Sequence, residues 1–183
     1  QATAANQPEI VSSGSVILKN GKPAVQFETS NALGEKRLQT NAFSSAIPQP
    51  VTSFSAFNQE TTDDRQAIFD GRTNQFGLYL FQTTYDLSSG GAISDSNIST
   101  GSKLAYGLFN SPNSALSINN GTSVTGDCGS NSLDGLSIGN LRGLSNPIVT
   151  NYIFIGQVYE LIFYPSDQSA NRTGIEANIN DYY

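Results

Sequence analysis

Apolar positions along this 183-residue chain come in short bursts separated by Gly, Asn and Asp, the rhythm of strands and turns rather than of helices. "VILKNGKPAVQF" (16–27) sets Asn20-Gly21 between two apolar stretches, which predicts a tight hairpin with positive φ at its centre. "SFSAFNQ" (53–59) alternates, with Phe54 and Ala56 on one face and Ser53, Ser55 and Phe57 on the other. "QAIFDGRTNQFGLYLFQ" (66–82) reads as two strands joined by a loop that opens at Asp70-Gly71. "KLAYGLFN" (103–110) and "SALSINNGTSVTG" (114–126) follow, the second with Asn120-Gly121 as its turn. "GLSIG" (135–139) is a short strand between glycines, and "YIFIGQVYELIFY" (152–164) is the longest apolar stretch.

The tail changes period. Ile175, Ile179 and Tyr183 fall at i, i+4 and i+8, one helical stripe, with Ser169 as the expected N-cap. The prediction is an all-β, two-sheet antiparallel sandwich of about twelve strands closed by a short C-terminal helix, roughly Ser169 to Asp181. The polar first fifteen residues read as an N-terminal arm (1–15), and 16–183 as a single domain without internal repeats. One residue breaks the pattern. Glu160 sits in the longest apolar stretch, where a carboxylate needs either a partner or a wet face.

Composition narrows the chemistry. The chain has no His, which removes Ser-His-Asp triads, Cys-His dyads and histidine-ligated metals. Cys128 is the only cysteine, so no intrachain disulfide forms, and its expected role is that of a small buried side chain. Trp is absent, while eight Tyr remain for packing or for stacking on sugars. Nine scattered Lys and Arg against fifteen acidic residues give a net charge of −6, which argues against a nucleic-acid partner. No apolar run approaches the length of a membrane span. Lacking Met, the sequence is expected to be a processed protein or part of a longer one. The abundance of Ser, Thr, Asn and Gly suits a neutral-polar β domain working outside a cell or on a particle surface.

Both ends carry a family likeness. "QPEIVSSGSVILKNGKPAVQF" (7–27) resembles the opening of bacterial and phage concanavalin A-like (laminin G-like) jelly-roll domains, where Gln-Pro precedes a hairpin. "GLSIG" followed by "FIGQVYELIFYPSDQSANRTGIEANINDYY" (154–183) resembles their close. It has a Gly-x-hydrophobic-x-Glu strand, then a helix with Arg172, Ile175 and Glu176 running to a final tyrosine pair. The likeness covers both ends, and residues 40–135 match only in strand rhythm. The close is most similar to domains on phage tail or head fibres. The resemblance implies the jelly roll but no single activity, because lectins, glycosidases, adhesion modules and virion surface domains share it.

"GLSIG" matches the G-x-S-x-G nucleophile elbow in letters, but no histidine is available as a base, and a strand bounded by glycines is the expectation. Gly21-Lys22 resembles the end of a phosphate loop, yet Pro23 follows it. Jelly-roll glucanases carry Glu-x-Asp on one strand, and no Glu-x-Asp occurs here. The matching family glutamate implies a scaffold task for Glu160, with Arg142 or Arg172 as its expected partner.

Laminin G-like relatives imply calcium at one rim of the sandwich, for which Asp63, Asp64, Asp95, Asn97 and Asp127 are the candidate donors; no other cofactor is expected. Asn97, Asn120 and Asn171 begin Asn-x-Ser/Thr sequons, relevant only in a eukaryotic secreted setting. Among Tyr79, Tyr85, Tyr106 and Tyr152, Tyr79 reads as core, and Tyr85 in a Gly-Ser context as the best exposed contact. The expected ligand-binding set is Tyr85, Asp86, Asn151 and Tyr152.

The expected function is a non-catalytic carbohydrate- or receptor-binding or display domain on a virion or extracellular surface. Its partners would be cell-surface glycans or virion subunits, with trimers in a larger assembly. The rivals are a purely structural assembly domain and a glycoside hydrolase of the same fold.

Overall fold

A computed structural model describes residues 7–28, 36–62, 65–141 and 152–183. The chain opens with two small hairpins, β1 (Val11–Ser12) with β2 (Ser15–Val16) and β3 (Leu18–Lys19) with β4 (Lys22–Pro23). Then come β5 (Val25–Phe27), β6 (Leu38–Gln39), β7 (Val51–Gln59), β8 (Gln66–Asp70), β9 (Gly77–Phe81), β10 (Thr84–Ser88) and β11 (Ala92–Asp95). The second half contributes β12 (Gly101–Phe109), β13 (Ser114–Ile118), β14 (Val124–Gly126), β15 (Ser137–Ile138), β16 (Gly156–Tyr164) and the helix α1 (Arg172–Tyr182). Two six-stranded sheets result, ordered β14-β13-β12-β7-β16-β5 and β11-β10-β9-β8-β15-β6. The two-sheet sandwich with one C-terminal helix is the architecture the apolar rhythm predicted.

Local signals explain much of it. Asn20 (φ 50) and Gly21 (φ 77) both take the left-handed conformation that the first hairpin demands. The turn assigned to Asn120-Gly121 lies one residue earlier, with positive φ at Asn119 and Asn120, because the Gly121 amide closes it on the Ile118 carbonyl (3.0 Å). "GLSIG" is strand β15, and a Cβ on Gly139 (φ +82) would lie 2.1 Å from Phe27 Cδ1, so only glycine fits. Ser137 is fully buried and donates to the carbonyls of Asn140 and Leu141. It is a packing serine and cannot act as a nucleophile. Cys128 is likewise buried, between Ser89 and Ser114, and burial pushes its thiol up.

Part of the expected N-terminal arm belongs to the domain. Residues 11–16 form the β1–β2 hairpin, and Glu9 exchanges two backbone hydrogen bonds with Gln26 (2.9 and 2.7 Å). Polar composition hid this, because backbone pairing needs no apolar side chains.

The centre of the first sheet is buried on both faces. Every residue of β7 is buried. Val51 and Phe57 point into the main core between the sheets, with Phe109, Leu116, Phe154 and Val158. Phe54 and Ala56 point the other way, into a second cluster with Leu104, Tyr106, Leu108, Ala115 and Ile179 of α1. An amphipathic helix must cover that outer face, since apolar surface left in water forfeits about 25 cal/mol per Å².

Ser169 is not the N-cap; a 3-10 turn (Ser169–Asn171) precedes α1, and Asn171 caps it without a side-chain bond. What pins the helix is Arg172. Its Nε donates to Glu176 Oε1 (2.9 Å), its other nitrogens donate to Ser123 Oγ and Ser117 Oγ (2.6 and 2.7 Å), and its guanidinium lies 4.7 Å from the Tyr106 ring. Glu176 is 3% exposed, so its carboxylate holds, out of water, the guanidinium that joins helix to sheet through the two serines. A cation one turn N-terminal to its anion is the less favourable order for a free helix, which assigns the pair to tertiary docking.

At the edge of the second sheet, the Asp134 carboxylate accepts hydrogen bonds from the amides of Arg72, Thr73 and Asn74 and from the Thr73 hydroxyl. Partial burial opposes ionisation there, but those bonds outweigh it and hold the carboxyl below its ordinary value.

Two measurements check this description. Glu176→Ala should lower unfolding free energy by roughly 3 kcal/mol, the low end for breaking a buried pair because Arg172 keeps some water contact; a loss under about 1 kcal/mol in denaturant titration contradicts the clamp. A depressed carboxyl stabilises the fold above its unfolded pKa of about 4, and that contribution is lost as pH falls through the lower native value. Asp134→Asn should therefore flatten the fall in stability between about pH 4 and pH 2.

Candidate functional site

Strand alternation sorts the predicted contact residues. In β9, Leu78 and Leu80 face the core, so Tyr79 and Phe81 face outward from the second sheet. In β10, Tyr85 and Leu87 belong to the core, and Asp86 faces outward. Tyr85 and Asp86 therefore cannot touch the same ligand.

Tyr85, expected as an exposed contact, is fully buried. It packs edge-on against Phe57 (6.3 Å), and its hydroxyl donates to Gln59 Oε1. Burial pushes its phenol pKa up. The Gly-Ser context that suggested a loop lies beyond the end of β10, which holds Tyr85 in a strand.

Asp86 and Tyr152, by contrast, share the outer face of the second sheet. Registration sets Ala67, Tyr79, Asp86 and Ser94 in one row across four strands. Tyr79 forms the buried floor, its hydroxyl donating to Asp70 Oδ1 (2.5 Å), and Asp70 also receives the amides of Gly71 and Phe76. Asp86 is partly exposed, and its Oδ1 is buried without a hydrogen-bond partner. One row along, the Phe81 and Tyr152 rings meet edge to face at 5.9 Å. The exposed Arg65 guanidinium stands 5.6 Å from the Phe81 ring and 6.0 Å from Tyr152, and donates to the Tyr152 hydroxyl (3.4 Å). Two half-buried rings, an exposed guanidinium and a partly exposed carboxylate give this surface the chemistry to stack an apolar face and to hydrogen-bond hydroxyls.

Phe81 and Arg65 escaped sequence reading. The alternation Leu78-Tyr79-Leu80-Phe81 carried the signal, aliphatic on one face and aromatic on the other. Asn151 lies outside the described residues.

The calcium set is not assembled. Asp63 and Asp64 lie outside the described residues. Asp95 is buried, and its Oδ1 accepts the backbone and side-chain N–H of Asn97 (2.8 and 2.7 Å). Asp127 Oδ1 accepts the Gly129 amide (2.8 Å). Each carboxylate closes its own turn. Among the described residues, no group of three His, Cys, Asp or Glu is placed to hold a metal.

Glu160 also departs from expectation. Strand β16 carries a bulge: Val158 pairs with Phe57 and Glu160 with Ala56, so Tyr159 is the extra residue. Val158 faces the core, and after the bulge Glu160, Ile162 and Tyr164 face outward. Glu160 is half-exposed, hydrogen-bonds no described residue, and lines an open cleft of about 540 Å³ between β16 and α1. Arg172, one expected partner, is committed to Glu176, and Arg142 lies outside the described residues. Among the described residues, no second carboxylate lines the cleft. The buried scaffold carboxylate of this region is Glu176.

No family model matches the sequence, and no curated protein aligns with it significantly. Solved structures do share its fold. A Bacteroides ovatus protein provisionally described as carbohydrate-binding superposes with TM-score 0.63 at 13% identity, over 86% of this chain and 47% of that one. The carbohydrate-binding module CBM40 of a Ruminococcus gnavus sialidase, bound to α2,3-sialyllactose, gives TM-score 0.51 at 13% identity, over 74% and 95%. The LG1–3 region of the laminin α2 chain gives TM-score 0.53 at 12% identity, over 69% of this chain and 24% of that one. This chain thus spans less than half of the laminin and Bacteroides chains. It has the concanavalin A-like jelly-roll fold that its two ends resemble.

Two substitutions test these placements. Glu160→Gln should change stability by less than about 0.5 kcal/mol, as expected for a surface position, and a loss above about 1.5 kcal/mol would return it to the scaffold. Tyr85→Phe should lower stability by about 1 kcal/mol through the lost buried hydrogen bond, with ligand binding unchanged.

Proposed function

We propose that this is a non-catalytic glycan-binding domain, acting outside a cell or on a virus particle, and that it reads sugars on the outer face of its second sheet. One observation carries the reading: the pair Phe81–Tyr152, with Arg65 over both rings and Asp86 one row away. Sugar rings offer an apolar face to aromatic side chains and hydroxyls to a guanidinium and a carboxylate. The fold is shared with a module bound to sialyllactose and with a protein described as carbohydrate-binding, which supports the class of ligand. The non-catalytic reading is supported by the carboxylates of this face. Hydrolysis uses two accessible ones about 5 to 9 Å apart, and Asp70 is buried and engaged by two amides and a phenol. No helix among the described residues is long and apolar enough to cross a membrane.

A second reading, an assembly domain contacting virion subunits in a trimer, is favoured by a separate feature. Ile10, Val11, Val16 and Leu18 on the N-terminal hairpins are 49–60% exposed, and three of them border an apolar groove that reaches Val158 and Tyr159. Such surface commonly marks a protein contact.

Displayed in many copies on a glycan array, the domain should bind a subset of glycans, with single-site affinity near millimolar and avidity supplying the rest. Tyr152→Ala and Arg65→Ala should each weaken binding at least about tenfold, a loss of about 1.4 kcal/mol, with unchanged melting temperature. A silent array, or full binding by both variants, sinks the sheet-face reading and moves the domain to the assembly role.

A further inference from the structure

The cleft between β16 and α1 lies on the first sheet, on the opposite side of the sandwich from the Phe81–Tyr152 face, and the proposed function does not use it. Its strand wall is Glu160, Ile162 and Tyr164; its helix wall includes Asn171, Gly174, Ile175 and Asn178. At about 540 Å³ it falls within the size range of small-molecule sites, roughly 300 to 1,000 Å³. Ile162 and Ile175 give it an apolar floor. Its polar groups are the Glu160 carboxylate, the Tyr164 hydroxyl and the side-chain amides of Asn171 and Asn178. The Asn171 amide nitrogen is spent on Gln168 Oε1 (2.8 Å), which leaves its oxygen free to accept.

The Glu160 charge has no partner among the described residues. Among the described residues, no Lys or Arg lines the cleft and none hydrogen-bonds Glu160. The nearest guanidinium on α1, Arg172, is held by Glu176, Ser117 and Ser123. A ligand that complements this cleft brings one positive charge, hydroxyls that donate to and accept from the amides and the phenol, and an apolar face for the isoleucines. We propose that the cleft is a second ligand site that takes a protonated amino sugar, with the ammonium on Glu160. Gly174 supports a ligand role, because it leaves the mouth open: apart from its chain neighbours and the helix backbone, no atom stands within 4 Å of where its Cβ would be. Glycine in a helix interior is otherwise unfavourable by about 0.5–1 kcal/mol relative to alanine.

The proposal stands apart from the sheet-face reading, and its test separates the two. Glucosamine, N-acetylglucosamine and glucose are titrated into the protein at neutral pH, with binding followed by NMR. Glucosamine should bind at least about tenfold more tightly than the other two, which share its ring but lack the charge. Glu160→Gln should abolish that preference. Gly174→Leu should fill the mouth and remove binding while melting temperature holds or rises, so loss of binding cannot be laid to misfolding. Tyr152→Ala should leave glucosamine binding intact. Equal binding of the three sugars, no glucosamine binding at all, or full binding by Gly174→Leu each overturns the proposal.

Discussion

The structure depends on one constraint: strand β7 is buried on both faces. A sandwich core covers only one side of a sheet, so the outward set Phe54, Ala56, Leu104, Tyr106 and Leu108 must be covered by something else. Helix α1 does this, and its stripe of Ile175, Ile179 and Tyr183 is the complement. Because the helix is short and meets the sheet through few apolar residues, the Arg172–Glu176 pair and its serine partners fix where it lands. The helix packs against β12 and β7 through Ile179, and an open cleft runs between it and Glu160, Ile162 and Tyr164 of β16. The cleft at Glu160 is the space left over.

The bulge at Tyr159 decides what that space contains. With regular alternation, Glu160 would share a face with Val158, and its charge would enter the apolar core. One inserted residue sends it outward and lets β16 run on with Leu161 and Phe163 against the core. The same two-residue period, without a bulge, separates Tyr85 from Asp86 on β10. Both proposed sites thus follow from which face each strand position takes. On the second sheet that alternation collects Arg65, Phe81 and Asp86 beside Tyr152, although Arg65 and Tyr152 stand 87 positions apart in the chain.

What could be read from the sequence was local. The Asn20-Gly21 hairpin needed only two residues with positive φ, and the Phe54/Ala56 alternation only a period of two. The C-terminal helix was visible as a stripe, and its clamp lies at i, i+4 within it. The missed features are of another kind. A bulge adds one residue without changing the apolar character of "VYELIFY", so the face of Glu160 was invisible. The orientation of Tyr85 depended on where β10 ended. The aromatic–guanidinium face joins residues from distant strands, and no local pattern announces that meeting. Asp95 and Asp127 looked like ligands because turn geometry and calcium recruit the same side chains.

The central claim is that this jelly roll recognises its partner on the outer face of the second sheet. The most direct measurement is amide chemical-shift mapping on titration with an oligosaccharide that the displayed domain captures. The account predicts that perturbed amides gather around Arg65, Phe81, Asp86 and Tyr152, with the hairpins from Ile10 to Pro23 unmoved. Perturbations confined to those hairpins, or to the turns at Asp95 and Asp127, would contradict it.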